Sequence, residues 1–369
     1  MWLSVGGGIV GLSVALRVRQ SGLGVTLLER GATGREASWS GAGIVALPNP
    51  HRSDPLATIQ RASVDRYAAY CAELAELSGI DPEYEACGEM KFLTTDQAVQ
   101  MAKSDVRVTS DERTAAGEPV LEMLTMDECA EIEPNVTGDA LAVLRCRRTA
   151  QARNSRLMRA LLESCRRLGV TIREQTGATA LELDGDRVIG VRGEDETFHA
   201  NHVVLSAGAW SAKVGPARLA DLLPVFPVRG QIILVRLDSR PFTHMIDKRR
   251  SYLIPRRDGH VLLGVTDEPE AGFNKRNTAK GINHIITEAI SMAPCLGDAP
   301  IVDMWSGLRP GTPDKRPYIG PVPGFERLIA ATGHYRSGLT LAPITADIIK
   351  ELITDGRCSF DLSHCSPGR

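Results

Sequence analysis

Three glycines and one carboxylate near the start of the chain have the spacing of a phosphate- and ribose-binding site. The run is Gly6-Gly7-Gly8-Ile9-Val10-Gly11, and Glu29 follows Gly11 by eighteen positions. Gly6 permits a tight turn, Gly8 removes a side chain where a pyrophosphate approaches the backbone, and Gly11 lets a helix pack close to its sheet. The N–H groups at the helix start then hold the phosphates. A carboxylate at Glu29 accepts hydrogen bonds from both ribose hydroxyls and repels a 2′-phosphate. Far along the chain, Arg309 stands between Gly307-Leu308 and Pro310-Gly311, where few side chains crowd it. The planar fork of an arginine matches a carboxylate with two parallel charge-assisted hydrogen bonds, so this position suits a carboxylate anchor. The competing reading is a surface turn that pairs Arg309 with Asp314.

Those groups need elements that present them. Trp2–Val5 reads as a short strand, Leu12–Gln20 as a helix closed by Gly22 and Gly24, and Val25–Glu29 as a second strand. The first strand lies so near Met1 that either the strand is short or the natural start lies upstream. Further patterns predict helices over Leu56–Leu77 and Ser155–Leu168, a strand Gly169–Arg173, a hairpin Ala178–Val191, a strand His202–Ala207, a strand Leu328–Ala331 and a helix from Ala342. The remaining β-type runs are Met90–Thr94, Phe226–Leu237, Ser251–Pro255, Val261–Thr266 and Ile301–Trp305, with helical patterns at Thr125–Ile132 and Thr278–Ala293. The expected fold class is α/β (α+β overall): a Rossmann-type dinucleotide domain with a second, mainly antiparallel β substrate domain. The first would be discontinuous, built from 1-85, 145-222 and 308-369, and the second from 86-144 and 223-307. No repeat or low-complexity linker separates them, so they are expected to pack as one body.

A length of 369 residues fits about two domains. A formal net charge of -2 gives no global pull towards nucleic acid or an anionic membrane. Arg145, Arg147, Arg148, Arg153, Arg156 and Arg159 interleave with leucines at helical spacing and read as a solvated helix face. None of the eight cysteines forms a CxxC pair or sits at metal-ligand spacing with histidine, so no metal is expected and a reducing, cytoplasmic setting is. No apolar run spans a bilayer, the start lacks a basic leader, and Ser363–Arg369 reads as a frayed tail.

The loop Arg30–Ile44 is rich in small and hydroxyl residues, which suits either backbone packed on a long cofactor or a surface loop. Together with the glycine run and the Glu29-Arg30 pair it resembles the FAD-dependent D-amino-acid oxidase superfamily. Two later stretches narrow the likeness: Ser251–Arg256 with Val261–Thr266, and Trp305–Asp314 with Pro317–Gly320 and Ala331–Gly338. They are similar to the bacterial glycine oxidases of thiamine (thiazole) biosynthesis, and the resemblance runs in order over nearly the whole chain.

That resemblance makes the dinucleotide domain an FAD-binding domain. It implies cofactor contacts at Gly6, Gly8, Ile9, Val10, Gly11, Glu29 and Arg30, and along the loop at Ser38, Ser40, Gly41, Ala42, Gly43 and Ile44. It implies others at Ala178, Ala207, Gly208, Trp210, Gly307 and Arg309, and from Gly333, His334, Tyr335 and Arg336 through Ser337, Gly338, Leu339 and Thr340. Arg309, Tyr252 and Arg336 become the catalytic and substrate-binding candidates. Arg250 joins them on the ground that strand alternation points it the same way as Tyr252, and Met245, Met304 and Trp305 are candidate wall residues.

The implied reaction is oxidation of glycine, another small amine or a D-amino acid by hydride transfer from Cα to flavin, with electrons passing to O2. Products are an imine, then an oxoacid and ammonia, and hydrogen peroxide. No general base is required if the amine enters neutral. Some relatives that demethylate sarcosine tether the flavin through a cysteine near the segment matching Gly307–Asp314; this sequence has none between Cys295 and Cys358, so the resemblance implies a noncovalent flavin. Relatives imply a homo-oligomer, such as a tetramer, and hand-over of the imine to a thiazole synthase. Two rival readings stand beside this one: a sarcosine or D-amino-acid oxidase or dehydrogenase, and a non-catalytic flavin-binding assembly protein.

Overall fold

In the computed structural model, which describes residues 2–369, the apolar run Trp2–Val5 is the central strand of a six-stranded sheet. It pairs in parallel with Val25–Leu28 on one side and His202–Leu205 on the other. Leu328–Thr332 and Thr171–Arg173 extend the parallel array, and Tyr318–Pro321 adds an antiparallel edge. The inner strands are buried on both faces and so mostly apolar without clean alternation, whereas the edge strand Thr171–Arg173 is exposed at both ends. One face is covered by the helices Ile9–Gln20, Pro55–Ser78, Asn154–Arg167 and Gly338–Asp355, through Leu12, Leu16, Ile59, Leu157 and Ile348. The other packs through Leu3, Val5, Val203 and Leu205 against Leu181, Val188 and Val191 of a three-stranded sheet.

A second, eight-stranded sheet runs in the order Ile301–Gly311, Phe226–Arg236, His260–Gly264, Ser251–Pro255, Met245–Lys248, Glu89–Leu93, Ala142–Cys146 and Leu121–Leu124. Its pairings are antiparallel except that of Met245–Lys248 with Glu89–Leu93. Helix Ala279–Met292 covers one face through Ile285, Ala289 and Met292. The mixed α/β architecture is thus a Rossmann-type unit beside a separate, mainly antiparallel β sheet.

Local expectations failed in three places. The arginine run is not one helix face: Arg145 lies in the strand Ala142–Cys146, Arg147 and Arg148 in a turn, and Arg153 at the helix N-cap. The strand is fixed by pairing on both sides, and its Arg145 and the turn residue Arg147 both meet Glu122. The last helix begins at Gly338, not Ala342, with Pro343 inside it. Full burial of Leu341, Ala342 and Ile344 outweighs the backbone hydrogen bond that Pro343 removes. The tail is not frayed, because Cys365 is buried, its carbonyl accepts from the Ile319 N–H at 2.8 Å, and Arg369 pairs with Asp314 at 2.9 Å. Among the described residues no helix is long and apolar enough to cross a membrane.

Candidate active site

The C-terminal ends of Trp2–Val5, Val25–Leu28 and His202–Leu205 open on a cavity of about 780 Å³. This is the crevice in which open α/β sheets take their ligands. Gly6 makes the turn there at φ +106°, with Ser206 so close that any Cβ would collide with its carbonyl. Gly11 stands behind the wall: its Cβ would lie 2.0 Å from the Gly6 carbonyl oxygen, so it serves the packing of helix Ile9–Gln20 on the strand.

Glu29 is buried on the cavity wall and ties two loops together. It accepts from the Gly7 N–H at 2.8 Å and the Gly31 N–H at 2.9 Å. A carboxylate has about four acceptor sites, so lone pairs remain for ligand hydroxyls. Arg30 stacks its guanidinium 3.6 Å over the ring of Trp210, and both line the cavity.

The small-residue loop forms another part of the wall, with Ser38, Ser40, Gly41, Ala42, Gly43 and Ile44 all lining it. Groups distant in sequence hold its backbone. Asn154 donates to the Ser38 carbonyl at 2.7 Å, Trp305 to that of Ser40 at 3.1 Å, and Arg256 to that of Ala42 at 2.8 Å. Burial pulls Arg256 down to about 10, which leaves it a cation at neutral pH. Nothing in the local sequence marked Asn154 or Arg256, whose partners lie more than a hundred positions away. Ala178, Ala207, Gly208, Gly307, Gly333, His334, Tyr335, Gly338 and Leu339 also line the cavity, whereas Ser337 and Thr340 do not. Thr340 lies under the loop and donates to the Ile44 carbonyl at 3.2 Å. A wall of glycine, alanine and serine at a helix N-terminus, with buried Glu29 at the end of the second strand, fits FAD.

The same cavity is lined by Tyr252, Arg309, Arg336, Arg250 and Asp247. Arg309 lies in strand Ile301–Gly311 opposite Val228. Its guanidinium crosses over Gly230, where a Cβ would stand 2.4 Å from Nη2. The ring of Tyr252 likewise lies over Gly264, its partner in the adjoining strand. Two glycines therefore make the room for both side chains. Gly230→Ala is expected to displace Arg309 and cut kcat/KM about 10- to 100-fold, with the flavin spectrum intact, because misplacement by about 1 Å costs that much.

Burial pushes the Tyr252 hydroxyl up to about 12, opposed by the Arg309 and Arg336 guanidiniums, so it is a neutral donor. Arg309 does not pair with Asp314. It donates to the Thr266 carbonyl at 3.3 Å and lies 3.6 Å from Asp267, which Arg336 meets at 2.6 Å. Arg250 reaches the cavity from the hairpin turn, at φ +75°, not by strand alternation. Of the apolar candidates, Met245 is buried core, Met304 is 44% exposed, and Trp305 is half-buried away from the wall.

His334 is buried in the wall, shares a hydrogen bond with Thr345 and is held neutral by burial, which takes it down to about 3. Glu89 is raised to about 7 by burial and by Asp247, itself raised by burial. The folded state therefore holds the Glu89 proton more tightly than the unfolded chain does. That stabilisation is complete below the ordinary glutamate range and is lost as pH rises through about 7. Glu89→Gln should thus be more stable than wild type by about 2–3 kcal/mol at pH 8.5, with a smaller difference at pH 5.5. Denaturant unfolding at the two pH values measures this.

Among the described residues no group of histidine, cysteine and acidic side chains could hold a metal. Residues 5–352 match the family model DAO, described as FAD dependent oxidoreductase. A glycine oxidase of Pseudomonas aeruginosa is 38% identical over 368 residues, covering 98% of this chain and 97% of that protein. A bifunctional protein ThiO/ThiG of Synechocystis sp. is 33% identical, over 100% of this chain and 53% of that one. The crystal structure of glycine oxidase from Geobacillus kaustophilus superposes with a TM-score of 0.92 at 28% identity, over 100% of this chain and 98% of that chain. The nucleotide crevice, the cationic wall beside it and these likenesses agree: the chain belongs to the DAO family of FAD-dependent oxidoreductases.

Proposed function

We propose that the protein is an oxidase of glycine and other small amino acids. The observation that carries this is the convergence of Arg309, Arg336 and neutral Tyr252 on the cavity that also presents Glu29 and the glycine turn. Gly6, Gly8, Ile9, Val10, Glu29 and the loop Ser38–Ile44 would hold FAD, which supplies the hydride acceptor. Arg309 takes the substrate carboxylate in its fork, and Tyr252 donates a further hydrogen bond to it. Fixing the carboxylate orients Cα, which is most of what the protein contributes. An amine that enters neutral gives an imine without a protein base, and water then releases the oxoacid and ammonia. O2 is the final acceptor and leaves as hydrogen peroxide.

No cysteine among the described residues lines the cavity, in keeping with a noncovalent flavin. All eight cysteines are free, as suits the cytoplasm. A place in thiamine biosynthesis, with hand-over of the imine to a thiazole synthase, rests on the sequence resemblance to the glycine oxidases of that pathway. We assign 1-85, 145-222 and 308-369 to the FAD side and 86-144 and 223-307 to the substrate side, and expect a homo-oligomer. A peroxide assay of the yellow protein against glycine, sarcosine and D- and L-amino acids tests the reading. Turnover with an artificial acceptor but not with O2 makes it a dehydrogenase, and no turnover with any amine overturns catalysis.

A further inference from the structure

We propose that Asp267 sets the charge of the carboxylate clamp and so restricts it to ligands with a single carboxylate. This rests on the clamp reading of Arg309 and Arg336. The carboxylate of Asp267 takes Arg336 Nη2 at 2.6 Å and the Tyr335 hydroxyl at 2.8 Å, and lies 3.6 Å from Arg309 Nη1. The two guanidiniums offered to a ligand are thus already bridged by an acid of the protein.

Its neighbours hold Asp267 in place. Glu268 exchanges both backbone hydrogen bonds with Arg229, at 2.9 and 3.1 Å. The Glu268 carboxylate accepts from Arg229, Gln231 and Thr266 at 2.5 to 2.6 Å. On the other side Thr266 gives its carbonyl to Arg309. Tyr335 adopts φ +50°, a left-handed conformation unusual for a tyrosine, and its hydroxyl ends on Asp267. A backbone so constrained on both sides fixes the Asp267 carboxylate directly behind Arg309, Arg336 and Tyr335, which line the cavity.

The consequence is a charge count. Arg309 and Arg336 bring two positive charges and Asp267 removes one. Arg250 and Asp247, also on the wall, are one cation and one acid. The clamp therefore has one charge left, which one ligand carboxylate satisfies. A second carboxylate meets Asp267 where it would need a cation, and like charges in contact repel, an effect that solvent at half-exposed Asp267 moderates but does not cancel.

Acetate and malonate carry one and two carboxylates, and their binding to the FAD-loaded protein can be followed by the flavin absorption band without turnover. Wild type should bind acetate and discriminate against malonate. In Asp267→Asn, which keeps an acceptor for Tyr335, the malonate-to-acetate affinity ratio should rise at least tenfold. Asp267→Glu keeps the charge and should keep the wild-type ratio. Asp267→Ser makes the same charge change if the Asn variant does not hold flavin. An unchanged ratio in both neutral variants, with acetate bound normally by wild type, overturns the role of Asp267 alone. Failure of wild type to bind acetate overturns the clamp, and this inference with it.

Discussion

Arg309→Ala is expected to lower kcat/KM for glycine by about three orders of magnitude while the protein remains yellow. The side chain is mostly withdrawn from solvent, at 17% exposure, and it lies in a strand rather than a loop. Removing one partner of a desolvated, hydrogen-bonded charge pair costs about 2–5 kcal/mol. Each 1.4 kcal/mol or so is a factor of ten. The cavity lining proposed to hold the flavin, at Gly6, Glu29 and the Ser38–Ile44 loop, does not depend on the guanidinium, so cofactor binding should survive. Arg309→Lys should recover part of the loss, because lysine restores charge without the fork. Steady-state kinetics on the flavin-saturated variants decide the matter, and a loss below about tenfold in the alanine variant would end the clamp assignment. Neither outcome depends on whether O2 or another acceptor reoxidises the enzyme.

Gly11→Ala should yield a colourless and less stable protein. The added Cβ would stand 2.0 Å from the Gly6 carbonyl oxygen and 2.5 Å from Ser206 Oγ. The first of these is backbone and cannot rotate away. Helix Ile9–Gln20 must then lift from the strand Trp2–Val5, at a cost of about 1–3 kcal/mol for overpacking. The same shift moves the N–H groups meant for the cofactor phosphates and strains the bond between Gly7 and Glu29. Gly24→Ala is the matched control, since nothing lies within 4 Å of its Cβ position. Flavin content at purification and thermal unfolding of the two variants make the comparison. A yellow Gly11→Ala protein as stable as the control would show that the helix tolerates the displacement.

The nucleotide crevice was legible in the first thirty residues because its information is local. A turn, a helix start and a strand end lie within one continuous stretch, and each glycine acts on backbone a few positions away. Apolar runs long enough to be strands were legible for the same reason. The arginine run was not: alternation in Ala142–Cys146 was masked by the helical spacing of leucines that follow it, and only pairing with Glu89–Leu93 and Leu121–Leu124 selected the strand.

The substrate end divides in the same way. The small residues around Arg309 and the position of Tyr252 could be read from the chain, but the space their side chains occupy could not. Gly230 creates that space for Arg309 from a strand distant in sequence and Gly264 for Tyr252 from the other arm of its own hairpin, and in isolation each is an unremarked glycine in an apolar run. Arg256 and Asn154 act on the cofactor loop across more than a hundred residues. Asp267 opens a loop whose sequence carries no periodicity, so its place between Arg309 and Arg336 follows from the meeting of three chain segments distant in sequence. By itself, then, the sequence determined the glycine turn, Glu29 and the arginine and tyrosine near which a carboxylate can bind, since backbone geometry and residue chemistry are local. Only the tertiary structure decided what surrounds them, because room, net charge and burial belong to the neighbours that folding brings together.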